Sequence, residues 1–72
     1  MKTTAKVALA RKEESGDDQF QLTFSADYAD ERNKEWAKYT PYLNLVMTVK
    51  STVAEHFQLG DRFTLVFEPE ES

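Results

Sequence analysis

Residues 4–26 read TAKVALARKEESGDDQFQLTFSA, and this stretch decides the fold because two alternating apolar patterns flank a single polar run. The first pattern covers Thr4–Arg11 and places apolar side chains at Ala5, Val7 and Leu9. The second pattern also has an apolar side chain at every second position, namely Phe20, Leu22, Phe24 and Ala26. A period of two residues is typical of a strand with one buried face, and a polar run containing a glycine is typical of a turn. The stretch therefore predicts an antiparallel β-hairpin.

Two further strands and one helix are predicted downstream of the hairpin. Tyr42–Lys50 alternates in the same way, and its apolar face consists of Leu43, Leu45, Met47 and Val49. Thr52 and Glu55 have the spacing of a capping box, so we expect a helix of about two turns that begins there and ends at Gly60. The last strand carries its apolar side chains at Phe63, Leu65 and Phe67.

The order of these elements, β-β-loop/helix-β-α-β, predicts an α+β domain that is mostly β. We expect a four-stranded antiparallel sheet, either curled or nearly closed into a small open barrel, with one short helix. The chain of 72 residues is long enough for a single domain over residues 1–72 with one modest core. The acidic C-terminal tail, residues 68–72, is expected to be mobile beyond the last strand.

Composition and charge restrict the classes of function. The chain has no cysteine, which excludes disulfide bonds and thiolate metal sites. Its net charge of −4 argues against a nucleic-acid-binding domain, because such domains present a basic surface. Small domains without disulfide bonds often gain stability by associating, so a homo-oligomer is one of the expected states.

No pattern of catalytic or metal-binding residues is evident in the sequence. His56 is the only histidine, and neither a second histidine nor a cysteine is present to complete a metal site with it. The paired carboxylates lie in predicted turns and in the tail, whereas catalytic pairs converge from rigid elements. Gly16 and Gly60 are too far apart for a phosphate-binding loop. We therefore expect neither enzyme activity nor a cofactor.

The segment 28–42 lacks a strand pattern and concentrates aromatic and cationic side chains. Asp30 is expected to cap a short helix over Glu31–Lys38, which Pro41 ends. The candidate binding residues of the segment are Arg32, Lys34, Trp36, Lys38, Tyr39 and Tyr42. Aromatic rings interleaved with cations are typical of protein interfaces and of nucleotide sites. In the alternative interpretation, Trp36 plugs one end of a small barrel and the tyrosines surround it.

Residues 33–69 contain three short elements in a fixed order, namely Asn33-Lys34-x-Trp36, Thr40-Pro41 and Phe57-x-x-Gly60-Asp61-x-Phe63. In these elements the segment resembles a family of small tailed-phage proteins. The family has no defined activity, so the resemblance implies a phage or prophage origin rather than a particular reaction.

These observations predict a non-catalytic accessory protein that acts by binding a protein partner. The leading hypothesis is a phage-encoded protein that inhibits a host factor, such as one involved in defence. The alternatives are a module that sequesters a nucleotide and a structural or assembly component of the virion. The sequence shows no signal-peptide pattern and no apolar run of membrane-spanning length, so the host cytoplasm is the expected location.

Overall fold

Four antiparallel strands form one curled sheet, a half-barrel, which carries a short helix. The computed structural model describes residues 2–70. The strands are β1 (Thr3–Glu14), β2 (Gln19–Ala26), β3 (Asn44–Lys50) and β4 (Arg62–Phe67). A 3-10 helix covers Glu31–Glu35, and the α-helix α1 covers Ser51–Ala54. The predicted fold class is confirmed, with the sheet in its open form.

The β1–β2 hairpin forms the centre of the sheet, whose strand order is β3-β2-β1-β4. β3 pairs with the outer side of β2, and β4 returns to pair with β1, in both cases antiparallel. Leu9 lies opposite Phe24 in the hairpin, and Phe24 lies opposite Leu45 in the next ladder. This register keeps the apolar side chains on one face, since a slip of one residue would turn them outward. β3 and β4 are left as the two edges of the sheet.

The first strand is longer and less regular than its sequence pattern indicates. β1 continues to Glu14, although the apolar alternation stops at Leu9. A shift of register between Leu9 and Arg11 accommodates the change in pattern, as β-bulges do. The turn that follows has left-handed backbone φ angles of +88° at Gly16 and +57° at Asp18, which these residue types tolerate.

The hydrophobic core lies on the concave face of the half-barrel. Its centre is a buried cluster formed by Val7, Leu9, Leu22 and Phe24. The partly buried side chains around this cluster are Leu43, Leu45, Val49, Phe57 and Phe63. Two side chains of the predicted apolar faces are exposed instead, Met47 by 40% and Phe67 by 52%. Both lie on edge strands, so no neighbouring strand covers their outer side.

Helix α1 is capped two residues earlier than predicted, at Lys50 instead of Thr52, and the predicted capping box is wrong. β3 pairs with β2 as far as Lys50, and the N–H of the next residue, Ser51, donates to the Asp18 carbonyl oxygen at 2.9 Å. Ser51 is therefore the first helical residue, and Lys50 occupies the capping position without a side-chain hydrogen bond. Thr52 lies inside the first turn, where its hydroxyl is not in the capping position.

The predicted end of α1 is also wrong, because the helix finishes at Ala54 and not at the glycine further on. After Ala54 the backbone turns, and the Phe57 ring packs against Phe24 and Phe63 with centroid distances of 5.9 and 5.1 Å. The Lys12 ammonium group donates to the carbonyl oxygens of Ala54 and Phe57 at 3.0 and 2.9 Å. The Ala54 carbonyl oxygen also accepts from the Phe57 N–H at 3.0 Å, so Lys12 adds a second hydrogen bond there and supplies a donor to the Phe57 carbonyl oxygen beyond the helix end.

The C-terminal tail is only partly described. Residues 68–70 are exposed and have no regular secondary structure, and Glu71 and Ser72 of the predicted mobile tail lie outside the described residues. Within residues 2–70, no helix combines the length and apolar character needed to cross a bilayer.

Candidate functional site

The irregular stretch between β2 and β3, called here the 27–42 loop, is held against β1 by one buried side chain. This side chain is Asn33, which is 0% exposed and belongs to the 3-10 helix. β2 ends at Ala26, opposite Val7, so the first residues of β1 extend beyond their partner strand. The Asp27 N–H still donates to the Lys6 carbonyl oxygen at 2.9 Å, and the side-chain amide of Asn33 bonds to both backbone groups of Lys6 beside it.

The Asn33 amide makes four hydrogen bonds. The Lys6 N–H donates to Oδ1 at 2.7 Å, and Nδ2 donates to the Lys6 carbonyl oxygen at 2.9 Å. Nδ2 also donates to the Asp27 carbonyl oxygen at 3.0 Å, and Oδ1 also accepts from the Trp36 indole N–H at 3.1 Å. An amide has two N–H donors and two acceptor lone pairs, so its hydrogen-bonding capacity is filled. The loop is thus fixed to the sheet through a fully paired polar group.

Asp30 caps the 3-10 helix, as its position in the sequence predicts. Its carboxylate accepts from the Arg32 backbone N–H at 3.0 Å, and from Nε and Nη2 of the same residue at 3.0 and 2.7 Å. The side-chain and backbone hydrogen bonds from Arg32 lower the pKa of Asp30 from its ordinary 3.8 to about 2. The same contact raises the pKa of Arg32. Arg32 is therefore engaged within the loop itself.

The helix of the loop ends at Glu35 rather than at Lys38, so its predicted length is wrong. The N–H groups of Trp36 and Ala37 both donate to the Asn33 carbonyl oxygen, at 3.2 and 3.1 Å, and this closes the helix directly after the anchor. Asn33 and Trp36 are three residues apart and their side chains bond each other. A 3-10 helix has three residues per turn, so residues three positions apart lie on the same side of it.

Trp36 is not the plug of the barrel that one interpretation of the sequence proposed. Its ring is partly buried but lies outside the core cluster, and its N–H is bonded to the anchor Asn33. Trp36 lines a cavity of about 370 Å³ beside the first residues of β1, together with Lys2, Thr3, Thr4 and Glu35. Its side chain therefore supports the attachment of the loop to β1.

Arg32 lines a polar cavity that contains none of the other predicted binding residues. The charged side chains of this cavity of about 220 Å³ are Lys6, Asp27, Asp30, Arg32 and Arg62. Asp27 pairs with Arg62 at 3.3 Å, and Asp30 pairs with Arg32 at 2.7 Å. Two of the three cations are thus matched by carboxylates, and the third, the Lys6 ammonium, donates to the Thr64 hydroxyl at 2.7 Å.

The remaining predicted binding residues are exposed on the loop. Lys34 pairs with Glu31 at 3.5 Å, and the Lys38 ammonium lies 5.5 Å from the centroid of the Tyr39 ring. Tyr39 is 79% exposed, and Tyr42 is 77% exposed. Of the six predicted residues, the structure thus brings Lys38 and Tyr39 into contact.

Tyr28 was not among the predicted binding residues, yet it is 61% exposed. All three tyrosines of the chain therefore lie on the 27–42 loop with exposed rings. The signal for Tyr28 is compositional, since every tyrosine falls in the one long segment that lacks strand alternation. The sequence gives no comparable indication that Asn33 is buried, because a polar residue between two charged neighbours is typical of an exposed position.

An apolar cleft of about 200 Å³ opens on the concave face between the two edge strands. It is lined by Val7, Phe24, Leu45, Met47, Phe57, Phe63, Thr64 and Leu65. The lining contains no charged group and one hydroxyl, whereas small-molecule sites combine apolar walls with several placed polar groups. The cleft is thus better suited to apolar side chains than to a polar ligand.

Among residues 2–70, no three histidine, aspartate or glutamate side chains are grouped so that they could hold a metal ion. Comparison with known proteins gave no matching family model, no matching curated protein and no matching solved structure. The fold and the site define a class by their geometry: a small, mostly β half-barrel that presents a tyrosine-bearing loop anchored by a buried asparagine.

Proposed function

We propose that this chain is a non-catalytic binding domain that contacts a protein partner through the 27–42 loop. The observation that carries the proposal is the exposure of Tyr28, Tyr39 and Tyr42 on a loop that Asn33 fixes to the sheet. Tyrosine is enriched at the centres of protein interfaces, because its ring offers a large apolar area and its hydroxyl a hydrogen bond.

Anchoring of the loop supports tight binding, because an ordered loop loses less conformational entropy when it meets a partner. Asn33 fixes the first half of the loop through its four hydrogen bonds. The Ala26 N–H donates to the Leu43 carbonyl oxygen at 3.3 Å, which fixes the point where the loop joins β3. The tyrosines are thus presented between ordered points of attachment.

The partner that we favour is a host protein. Residues 33–69 resemble small tailed-phage proteins, and we expect a phage protein of this size to act by occupying a surface of another molecule. Inhibition of a host factor, such as one involved in defence, is the function that we infer for this contact. Participation in the virion or its assembly is the alternative, in which the partner is a phage protein.

A nucleotide-binding role has less support from the geometry. Arg32 is paired with Asp30, and Lys34 is paired with Glu31. Lys38 and Tyr39 remain as a single cation–aromatic pair, and neither residue lines the polar cavity. Thermal unfolding in the presence of a set of nucleotides tests this alternative, since a ligand at 100 times its Kd adds about 2.7 kcal/mol of stability. The absence of any shift would exclude it.

Affinity capture from lysates of infected and uninfected host cells tests the protein-binding proposal. The baits are the wild type, the double variant Tyr39→Ala/Tyr42→Ala and the control Leu59→Ala, whose side chain is 62% exposed outside the loop. Truncation of an interface tyrosine weakens binding by about 2 kcal/mol, or roughly thirtyfold. The partner should therefore be retained by the wild type and the control and be lost with the double variant.

Two results of the capture experiment would contradict the proposal. The first is a set of captured proteins that is the same for all three baits. The second is the absence of any protein above the level of an empty matrix. A captured host protein supports the inhibitor hypothesis, whereas a captured phage structural protein supports the virion alternative.

A further inference from the structure

The direction of the backbone groups along β1 can be read from its hydrogen bonds. On the β4 side, the Leu9 N–H donates to the Asp61 carbonyl oxygen and the Leu9 carbonyl oxygen accepts from the Gly60 N–H. On the opposite side, both backbone groups of Lys6 bond to Asn33. Because these directions alternate along a strand, the odd-numbered residues of β1 before the bulge, from Thr3 to Leu9, direct their backbone groups at β4.

The same alternation determines which groups of β4 point away from β1. In the ladder between the two strands, Thr3 lies opposite Phe67 and Ala5 lies opposite Leu65. The odd-numbered residues of β4 therefore direct their N–H and C=O groups at β1. The backbone groups of the even-numbered residues Arg62, Thr64 and Val66 point to the other side, where the sheet formed by residues 2–70 has no further strand. Such an edge is a template for another strand.

We propose that a second copy of this chain occupies the edge, as an antiparallel β4–β4 pair related by a two-fold axis at Leu65. In this register, the outward-directed groups meet as hydrogen-bonded pairs, with Arg62 opposite Glu68 of the second copy and Thr64 opposite Val66. The Arg62–Glu68 pair brings opposite charges together twice, once on each side of the axis. A two-fold arrangement is closed, so β4 pairing ends with two copies.

The exposure of apolar side chains on β4 fits this occupant. Phe67 is 52% exposed and Val66 is 45% exposed. The register centred on Leu65 places Phe67 of one copy opposite Phe63 of the other. Because the two-fold axis is perpendicular to the sheet, the concave faces of both copies lie on the same side, and the two phenylalanine side chains extend the core there. A concavity of about 440 Å³, lined by Thr3 and residues 66–69, provides room at this end of the edge.

The other edge of the sheet does not offer the same complementarity. The equivalent two-fold register of β3, centred on Met47, places Lys50 opposite Asn44 and pairs no opposite charges. The β4 edge touches the 27–42 loop through the Arg62–Asp27 ion pair, but the proposed register uses residues 62–68 and none of the three tyrosines, so dimerisation is tested separately from the proposed partner contact.

Sedimentation equilibrium of the full chain across the micromolar range tests the dimer. Val66→Pro removes one outward N–H and leaves the ladder with β1 intact, as proline on the open side of an edge strand does. Val46→Pro is the matched control on β3. The Leu43 carbonyl oxygen accepts from the Ala26 N–H of β2, so the odd-numbered residues of β3 direct their backbone groups at β2. The backbone groups of the even-numbered residues, including Val46, point away from the sheet. The wild type and Val46→Pro should be dimers, and Val66→Pro should be a monomer. A monomeric wild type, a monomeric Val46→Pro or a dimeric Val66→Pro would each overturn the proposal.

Charge reversal provides a second readout that does not require the proline variant to fold. Glu68→Arg and Arg62→Glu each place like charges opposite one another and should raise the dimer Kd about tenfold or more. The double variant places opposite charges together again and should recover most of the lost affinity. Additive weakening in the double variant would overturn the register. Glu68→Arg is the cleaner single change, since Arg62 also pairs with Asp27 within the chain.

Discussion

The side-chain amide of Asn33 pairs with the backbone of Lys6 in the way that a neighbouring strand residue would, with one hydrogen bond in each direction at 2.7 and 2.9 Å. These two residues are separated by 27 positions in the chain. Directly after β2, the Asp27 N–H also donates to the Lys6 carbonyl oxygen at 2.9 Å, and Asn33 supplies the acceptor for the Lys6 N–H, which would otherwise be left unpaired at the sheet. It also fixes the loop that exposes the three tyrosines.

Asn33→Ala should be strongly destabilising. It leaves the Lys6 N–H and the indole N–H of Trp36 without their acceptor, whereas the Lys6 carbonyl oxygen keeps its hydrogen bond from the Asp27 N–H at 2.9 Å. The free energy of unfolding, measured by urea denaturation, should fall by about 3 kcal/mol, since each buried unpaired polar group costs about 1–3 kcal/mol. The control is Asn44→Ala, an exposed position on β3 that should change stability by about 0.5 kcal/mol or less. Equal effects of the two variants would show that the anchor is not formed.

Asn33→Asp should make stability depend on pH. The substitution exchanges the Nδ2 donor, which serves the carbonyl oxygens of Lys6 and Asp27, for an acceptor. Burial beside these carbonyls should raise the pKa of the introduced carboxyl in the folded state above its unfolded value of about 4. The folded variant then binds more protons than the unfolded one. The difference in free energy of unfolding between the wild type and the variant should therefore shrink as pH falls from 7 towards about 5. A difference that is independent of pH would contradict the buried amide geometry.

The contact between Asp30 and Arg32 should be visible in the titration of Asp30. Its pKa in the folded protein is about 2, below the ordinary 3.8. A lowered folded-state pKa stabilises the protein above the unfolded pKa, and this contribution is lost as pH falls from 3.8 through about 2. Arg32→Gln should return the Asp30 pKa towards 3.8, as followed by carboxyl-carbon NMR, whereas Lys34→Gln should leave it unchanged. An Asp30 that titrates near 3.8 in the wild type would show that the pair is absent in solution.

Lys12→Met tests whether a lysine holds the end of α1. The substitution keeps an apolar side chain of similar length and removes the donor to the Ala54 and Phe57 carbonyl oxygens. Loss of these hydrogen bonds should lower the free energy of unfolding by about 1–2 kcal/mol. Lys50→Met, at an exposed lysine on β3, is the matched control and should have a small effect. Indistinguishable unfolding curves for the two variants would contradict the role of Lys12.

The strands could be predicted because their signal is local and repeated. Phe20, Leu22 and Phe24 alternate with polar residues, and the same alternation determines which face is buried once the strands pair. The extent of exposure on the edge strands could not be predicted in this way. Met47 and Phe67 follow the pattern of buried residues, but burial depends on a neighbouring strand that β3 and β4 lack on their outer sides.

The helices were predicted less well, because their boundaries depend on tertiary contacts. The spacing of Thr52 and Glu55 is a valid capping signal, yet the pairing of β3 with β2 places the helix start at Ser51. Asp30 was predicted correctly as a cap because it interacts with a residue only two positions away. The role of Asn33 depends on a strand far away in the sequence, so no local pattern indicates it.

Amide hydrogen exchange of Lys6, measured by NMR in the wild type and in Asn33→Ala, tests most directly whether Asn33 fixes the 27–42 loop to the sheet. The Lys6 N–H donates to the Asn33 side chain, so its protection reports on this contact. Slow exchange is expected in the wild type, with acceleration of about a hundredfold or more in the variant, in line with a loss of about 3 kcal/mol. Exchange of Lys6 in the wild type as fast as that of exposed loop amides would contradict an anchored loop.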